Sequence, residues 1–326
     1  MSSVKKISRE LRNFRRFFKF LWKRKILGLD FILTFLIIFF LPGQTYYDNL
    51  RLSWQNPKVK ASHFVIPLPV PIPKNKTGAV VPRLSAKSVL VIDVPSWVVI
   101  YEKNKDLRLL PASTTKIMTA LVSLDYYNLE QVLEVLEIFS EGQDIKLQKG
   151  EKITVENLLY ALLVASANDA AESLAANYPG GRQSFIEEMN QKGKNLNLLN
   201  THFVNPTGID DKDQYTTASD LARLAKIAIQ NPVFAKIVAT DKFIVYSYDK
   251  KFVHPISNIN VLLGSVPGIK GIKTGWTLSA GECFVSFDEQ NGRQIITVIL
   301  GSQDRFGETE KLLDWVFGNF SWEAPL

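Results

Sequence analysis

The chain has 326 residues, a net charge of +7, one cysteine and three histidines. Residues 1–25 hold ten Lys and Arg against one acid, a local charge of +9, so residues 26–326 carry −2. A body this close to neutral argues against a basic groove for nucleic acid. The single cysteine excludes an internal disulfide, and the histidines lack metal-ligand spacing, so no metal or cofactor is predicted.

The basic segment 1–25 is followed by an apolar run at residues 26–43, ILGLDFILTFLIIFFLPG. This run, helped by its flanking residues, is about long enough to cross a bilayer. Because positive residues stay on the cytoplasmic side, the sequence predicts a single-pass anchor with a cytoplasmic N-terminus and everything after it outside the membrane. A cleaved signal peptide is the alternative, disfavoured because no small-x-small cleavage site follows the run.

Residues 44–83 are predicted to be a proline-rich extracytoplasmic linker. The stretch PLPVPIPKNKTG favours extended polyproline II, which acts as a semi-rigid spacer. It contains a first Lys-Thr-Gly, at residues 76–78, which we interpret as a solvated turn.

Residues 84–320 are predicted to form the folded domain. β-Branched runs on either side of Val94-Pro95-Ser96 indicate a hairpin at Ser88–Asn104. Apolar periodicity indicates helices at 113–127, 155–176, 182–196, 217–230 and 307–317, and strands return within 268–301. This segregation predicts an α+β fold in which N- and C-terminal strands share one antiparallel sheet covered by helices.

The first residues with chemical potential are Ser113 and Lys116, in LLPASTTKIMTAL. Three residues apart on a helix, their side chains share a face. A serine hydroxyl becomes a nucleophile when a base takes its proton, and a lysine can be that base once burial or a neighbouring cation lowers its pKa. The spacing alone is weak evidence, since Ser-x-x-Lys also occurs at residues 2–5, 3–6 and 247–250.

Two further motifs follow in order. Ser166-Ala167-Asn168 can present a hydroxyl for proton relay and an amide for a substrate carbonyl, although Ser and Asn also serve as helix caps. The second Lys-Thr-Gly, Lys273-Thr274-Gly275, leads into strand-like sequence, where the lysine supplies positive charge and the glycine permits close approach of a substrate. The first Lys-Thr-Gly has no strand to display it.

The ordered set Ser-x-x-Lys, Ser-x-Asn, Lys-Thr-Gly is typical of penicillin-binding proteins and class A β-lactamases. From Ser88 to Phe317 the chain resembles the serine D-alanyl-D-alanine carboxypeptidases, the low-molecular-weight penicillin-binding proteins. The segments that carry the resemblance include PASTTKIMTAL, ENLLYALLVASANDAAESLA, THFVNPTGIDD and GIKGIKTGWTLSAGECF.

The resemblance implies a serine DD-peptidase that acts on peptidoglycan stem peptides ending in D-Ala-D-Ala and is acylated by penicillins. It implies that Ser113 is the nucleophile, Lys116 the base and Ser166 a proton relay. It assigns the oxyanion hole to the backbone N–H groups of Ser113 and Trp276. The substrate-binding residues that it implies are Asn168, Lys273, Thr274, Gly275, Trp276 and Arg305, with no metal and no cofactor.

Three alternatives stay open at this point. A DD-endopeptidase uses the same residues on cross-linked peptides. A β-lactamase commonly adds a glutamate in an E-x-x-L-N loop, which this sequence lacks. A membrane-tethered module that binds muropeptides without catalysis is disfavoured because all the reactive residue types are present.

Overall fold

The structure is a computed structural model that describes Leu33, Thr34, Leu36 and residues 69–324. The strands of its main sheet come from both ends of the longer range, and most of the helices lie between them along the chain. In chain order the elements are β1 (Ile72–Asn75), β2 (Ser88–Asp93), β3 (Val99–Lys103), a 3-10 helix (Ala112–Thr115), α1 (Lys116–Tyr126), β4 (Val132–Glu134), β5 (Lys152–Thr154), α2 (Val155–Val164), α3 (Asn168–Ala176), α4 (Gly181–Asn195), α5 (Ala218–Gln230), α6 (Pro232–Val238), β6 (Lys242–Tyr246), β7 (Val253–Ser257), β8 (Ile269–Thr277), β9 (Gly281–Gln290), β10 (Arg293–Ser302), α7 (Arg305–Asn319) and β11 (Phe320–Glu323).

The main sheet has five strands in the order β3-β2-β10-β9-β8, and each neighbouring pair is antiparallel. The turn between β9 and β10 uses Asn291 and Gly292, both with positive φ (50° and 73°), as a two-residue hairpin turn requires. The predicted α+β class, with N- and C-terminal strands in one antiparallel sheet covered by helices, is confirmed.

The sheet is covered on both faces because alternate residues of its strands enter two different cores. On one face, Leu90 and Val285 pack in a cluster with residues of α1 to α6. On the other face, Val91 and Phe284 pack in a cluster with Leu312 of α7. Strand β8 is the edge strand of the sheet, and the candidate site residues lie beside it.

The single helix predicted over residues 155–176 is wrong, since the chain forms two helices, α2 and α3. Between them Ser166 has a φ of 59°, outside the helical range. The backbone N–H of Asn168 donates to Gln143 O at 2.7 Å, a tertiary bond that replaces a bond within the helix. The break therefore comes from a distant loop and not from the helix-forming residues themselves.

The end of the predicted spacer 44–83 belongs to the folded unit. Ile72–Asn75 pairs with Phe320–Glu323 in a two-stranded antiparallel sheet, and the Trp315 Nε1–H donates to Ala79 O at 3.0 Å. Pro73 is tolerated because each strand of this ribbon is an edge. The first Lys-Thr-Gly lies just after β1, where its three residues are exposed, in agreement with a solvated turn.

The span predicted at 26–43 lies outside the described residues, apart from Leu33, Thr34 and Leu36. Within the described part of the chain, we find no helix with both the length and the apolar character that crossing a bilayer demands.

Candidate active site

Ser113 and Lys116 meet where the 3-10 helix joins α1. The Lys116 Nζ lies 3.0 Å from the Ser113 Oγ, and the lysine side chain is fully buried. The predicted sharing of one helical face is therefore confirmed, although the first turn is a 3-10 helix and not an α-helix.

The amine of Lys116 has two other partners, and both are acceptors only. It donates to Asn168 Oδ1 and to Thr207 O, each at 2.6 Å. The orientation of the Asn168 amide follows from its Nδ2, which donates to Glu141 O at 2.7 Å. A neutral amine has two hydrogens and one lone pair, so these acceptors take both hydrogens and leave the lone pair for the Ser113 hydroxyl. This is the geometry of a general base beside its nucleophile.

Burial and neighbouring cations favour the neutral amine. Burial, and next the charge of Lys273, hold the pKa of Lys116 well below its ordinary value of 10.5, against smaller opposing contributions from Glu172 and Asp169. Burial, and next the charge of Arg305, lower the pKa of Lys273 to about 7. The charge of Lys273 thus makes proton binding by Lys116 less favourable, and the charge of Arg305 has the same effect on Lys273.

Strand β8 brings the second Lys-Thr-Gly directly against Ser113. A Cβ on Gly275 would lie 2.8 Å from the Ser113 backbone nitrogen, closer than real Cβ atoms approach. Lys273 and Thr274 are buried, and the Lys273 Nζ donates to Thr274 O at 2.9 Å. The first and third motifs therefore meet at one site, and their contact requires glycine at 275.

The remaining residues of the predicted site border β8. Trp276 is 60% exposed, beside the buried Thr274. Arg305, the first residue of α7, donates from Nη1 to Gly275 O at 2.9 Å, and its buried Nε has no hydrogen-bond partner among the described residues. Arg305 thus supports the strand that carries Lys273 and also lies close enough to lower its pKa.

Ser166 and Asn168 differ in what the structure shows. Asn168 joins the cluster through Lys116, but its amide is occupied by Lys116 and Glu141, so its contact with a substrate stays a prediction. Ser166 is 4% exposed and, within the part of the chain that is described, its hydroxyl has no hydrogen-bond partner. Its role as a proton relay also stays a prediction.

Two functional residues were missed from sequence because they act through the backbone. Thr207 gives its carbonyl to Lys116. Gly208, with a φ of 90°, lies so close to Ala112 that a Cβ there would be 2.0 Å from the Ala112 carbonyl oxygen. The run Asn205-Pro206-Thr207-Gly208 is rich in turn-forming residues, which was the available signal.

Known proteins match this arrangement over most of the folded unit. A family profile described as D-alanyl-D-alanine carboxypeptidase matches residues 75–304. A D-alanyl-D-alanine carboxypeptidase of Bacillus subtilis is 32% identical over 246 residues, which cover 72% of this chain and 63% of the relative. A D-alanyl-D-alanine endopeptidase of Escherichia coli is 30% identical over 282 residues, which cover 80% of this chain and 89% of the relative.

A solved structure, that of the Streptomyces K15 DD-transpeptidase, is 30% identical with a TM-score of 0.69 and covers 74% of this chain and 100% of that chain. The chain spans 63% and 64% of the lengths of two curated carboxypeptidases, from B. subtilis and E. coli. Because the family profile matches well over half of it, the chain belongs to the peptidase S11 family, the D-alanyl-D-alanine carboxypeptidases.

Proposed function

We propose that the protein is a serine DD-carboxypeptidase that removes the terminal D-alanine from peptidoglycan stem peptides through an acyl-enzyme. The observation that carries the proposal is the Lys116 amine, buried, 3.0 Å from the Ser113 Oγ and bound to two acceptor-only oxygens. An exposed lysine would keep a pKa near 10.5, stay protonated at neutral pH and be unable to take the serine proton.

In the first step, the Ser113 oxygen attacks the carbonyl carbon of the penultimate D-alanine while its proton moves to Lys116. The C–N bond then breaks as Ser166 relays this proton from Lys116 to the departing D-alanine amine, which leaves the peptide as an ester on Ser113 and Lys116 neutral again. Water next attacks this ester with Lys116 again as base, releasing the shortened peptide and restoring the serine. The scheme calls for no metal or cofactor.

The binding residues follow from the same arrangement. Lys273 and Thr274 take the terminal carboxylate of the substrate. The backbone N–H groups of Ser113 and Trp276 stabilise the oxyanion of the tetrahedral intermediate. Gly275 keeps β8 close enough to the 3-10 helix for both N–H groups to act on one oxygen. Asn168 orients the peptide once it exchanges one of its present partners for the substrate.

Penicillins are expected to acylate Ser113 by the same attack, and this gives the test. Ser113→Ala should abolish covalent labelling of the full-length protein by a fluorescent penicillin. Ser123→Ala removes another buried hydroxyl, farther along α1, and should label normally. Labelling that survives Ser113→Ala would refute the assignment.

The turnover assay uses a pentapeptide muropeptide and detects free D-alanine by mass spectrometry. Release of one D-alanine per peptide supports the proposal. A second candidate, DD-endopeptidase, is favoured by relatives named D-alanyl-D-alanine endopeptidase that are 34% and 30% identical. Cleavage of cross-linked dimers without release of D-alanine from the pentapeptide would establish it instead. Binding without either reaction would favour a non-catalytic module, and rapid hydrolysis of penicillin a β-lactamase.

We also propose that residues 26–43 anchor the protein in the cell membrane with the catalytic domain outside the cytoplasm. Support comes from the sequence, since ten basic residues in 1–25 precede the apolar run. The protein is expected in the membrane fraction and to be digested by protease added to intact spheroplasts. Recovery in a soluble fraction, or full protection from the protease, would contradict this topology.

A further inference from the structure

The turn at residues 205–208 is built around one amide oxygen. Asn205 Oδ1 accepts hydrogen bonds from the Thr207 N–H (3.2 Å), the Thr207 hydroxyl (3.0 Å) and the Gly208 N–H (2.7 Å). The Gln214 Nε2 adds a fourth, longer bond to the same oxygen (3.5 Å). These donors fix the turn on both sides of the Thr207 carbonyl, the group that accepts from Lys116.

Asn205 is itself held on the other side. Its Nδ2 donates to Ile209 O at 3.0 Å, and its backbone N–H donates to Gln214 Oε1 at 3.3 Å. The turn is also tied to the helix that carries the base, because the Thr119 hydroxyl of α1 donates to Pro206 O at 2.6 Å. The carbonyl at 207 is therefore held in one position relative to Lys116.

We propose that Asn205 is a positioning residue for the reaction: its amide oxygen holds the Thr207 carbonyl against Lys116, so that the lone pair of the amine is directed at Ser113. The inference rests on the proposed function. Asn168 takes one hydrogen of the amine, and the second acceptor decides how the amine rotates. Without it, the nitrogen can turn and the serine loses an aligned base.

The test is the pH dependence of acylation, because the acid limb of the rate reports protonation of Lys116. The charged groups around this amine are Lys273 on β8, which lowers its pKa, and Glu172 and Asp169 on α3, which raise it. A carbonyl stabilises the cationic form more than the neutral form. Release of the Thr207 carbonyl should therefore move the acid limb to lower pH while the plateau rate falls.

The variants are Asn205→Ala, Asn205→Asp and a matched control, Asn190→Ala. Asp keeps an accepting oxygen at the same position. The Asn190 side chain forms two hydrogen bonds with the backbone of Phe203, just before the turn, and does not contact Thr207. The full-length protein is labelled with a fluorescent penicillin under single-turnover conditions from pH 5 to 10, and folding is checked by thermal melting. If Asn205→Ala does not fold, Asn205→Ser takes its place under the same criteria.

Asn205→Ala is expected to lower the plateau rate about 100-fold and displace the acid limb. The plateau rate of Asn205→Asp should be about ten-fold higher than that of Asn205→Ala. The plateau rate of Asn190→Ala should stay within about two-fold of that of the unaltered protein. The inference is overturned if Asn205→Ala acylates normally at every pH, or if Asn190→Ala loses as much rate. Absence of labelling in the unaltered protein would instead refute the proposed function.

Discussion

Lys273 offers a prediction that joins stability to function. Burial, and next the charge of Arg305, lower its pKa from 10.5 to about 7. The unfolded chain then binds a proton that the folded protein gives up, so the native state is destabilised wherever the lysine would otherwise be charged. Lys273→Met keeps a side chain of similar length and removes this penalty. We expect the variant to be more stable and to lose turnover.

The magnitude follows from the two pKa values. The Lys273 pKa is about 10.5 in the unfolded chain and about 7 in the folded protein. This difference destabilises the native protein by about 2 kcal/mol at pH 9, about 4 kcal/mol at pH 7 and about 5 kcal/mol below pH 6. The sign is fixed because the unfolded state binds more protons, so native stability rises with pH between 7 and 10. Methionine abolishes this slope, and relief of the Lys116 pKa adds stability in the same direction.

The assay is urea unfolding of both proteins between pH 6 and pH 9. The stability gained by Lys273→Met should grow by about 2–3 kcal/mol as the pH falls across that range. Lys270→Met is the control, since Lys270 lies on the same strand with its side chain half exposed and paired with Glu289. A gain for Lys273→Met that does not change with pH would refute the reasoning, because it would mean that Lys273 keeps an ordinary pKa in the folded protein.

Two further changes test packing at and away from the site. Gly275→Ala should lower the rate of penicillin acylation at least about ten-fold, since its Cβ would lie 2.8 Å from the Ser113 nitrogen, whereas Gly318→Ala, with open space in α7, should label normally. Trp322→Phe removes the 2.7 Å bond from Nε1 to Asp93 Oδ1, so unfolding in urea should show a loss of about 1–2 kcal/mol with acylation unchanged. These expectations would be contradicted if Trp322→Phe had the same free energy of unfolding as the unaltered protein, or if Gly275→Ala were labelled at the normal rate.

Those parts of the site that depend on local spacing could be predicted from sequence. Ser113 and Lys116 are three residues apart on a helical turn, so their contact is set by helix geometry and needs no knowledge of the fold. The choice of Lys273 over Lys76 also follows from local sequence, because only the former lies in a run that forms a strand of the main sheet. The order of the three motifs along the chain indicated which residues belong to one site.

Features created by distant backbone contacts could not be predicted. The contact between Thr207 and Lys116 uses the backbone carbonyl, which every residue has. The identity of the side chain at 207 therefore does not predict it. The break at Ser166 depends on a bond to Gln143, far outside the helical window. Strand β1 is short and contains Pro73, and its pairing with β11 joins residues at opposite ends of the folded unit. In the last two cases tertiary hydrogen bonds override local propensity.

The same close packing explains why the site needs glycine and lysine together. At Gly275 and Gly208 the neighbouring backbone approaches the 3-10 helix so closely that a Cβ would collide with Ser113 or Ala112. The Lys116 amine is fully buried beside these contacts, and burial is the first cause of its lowered pKa. We expect that a methyl group at either position pushes the backbone away and exposes the amine to solvent, which favours its cationic form. In the proposed mechanism the basicity of Lys116 thus depends on how closely two backbones approach, and we expect a side chain at either glycine to weaken a base that it does not touch.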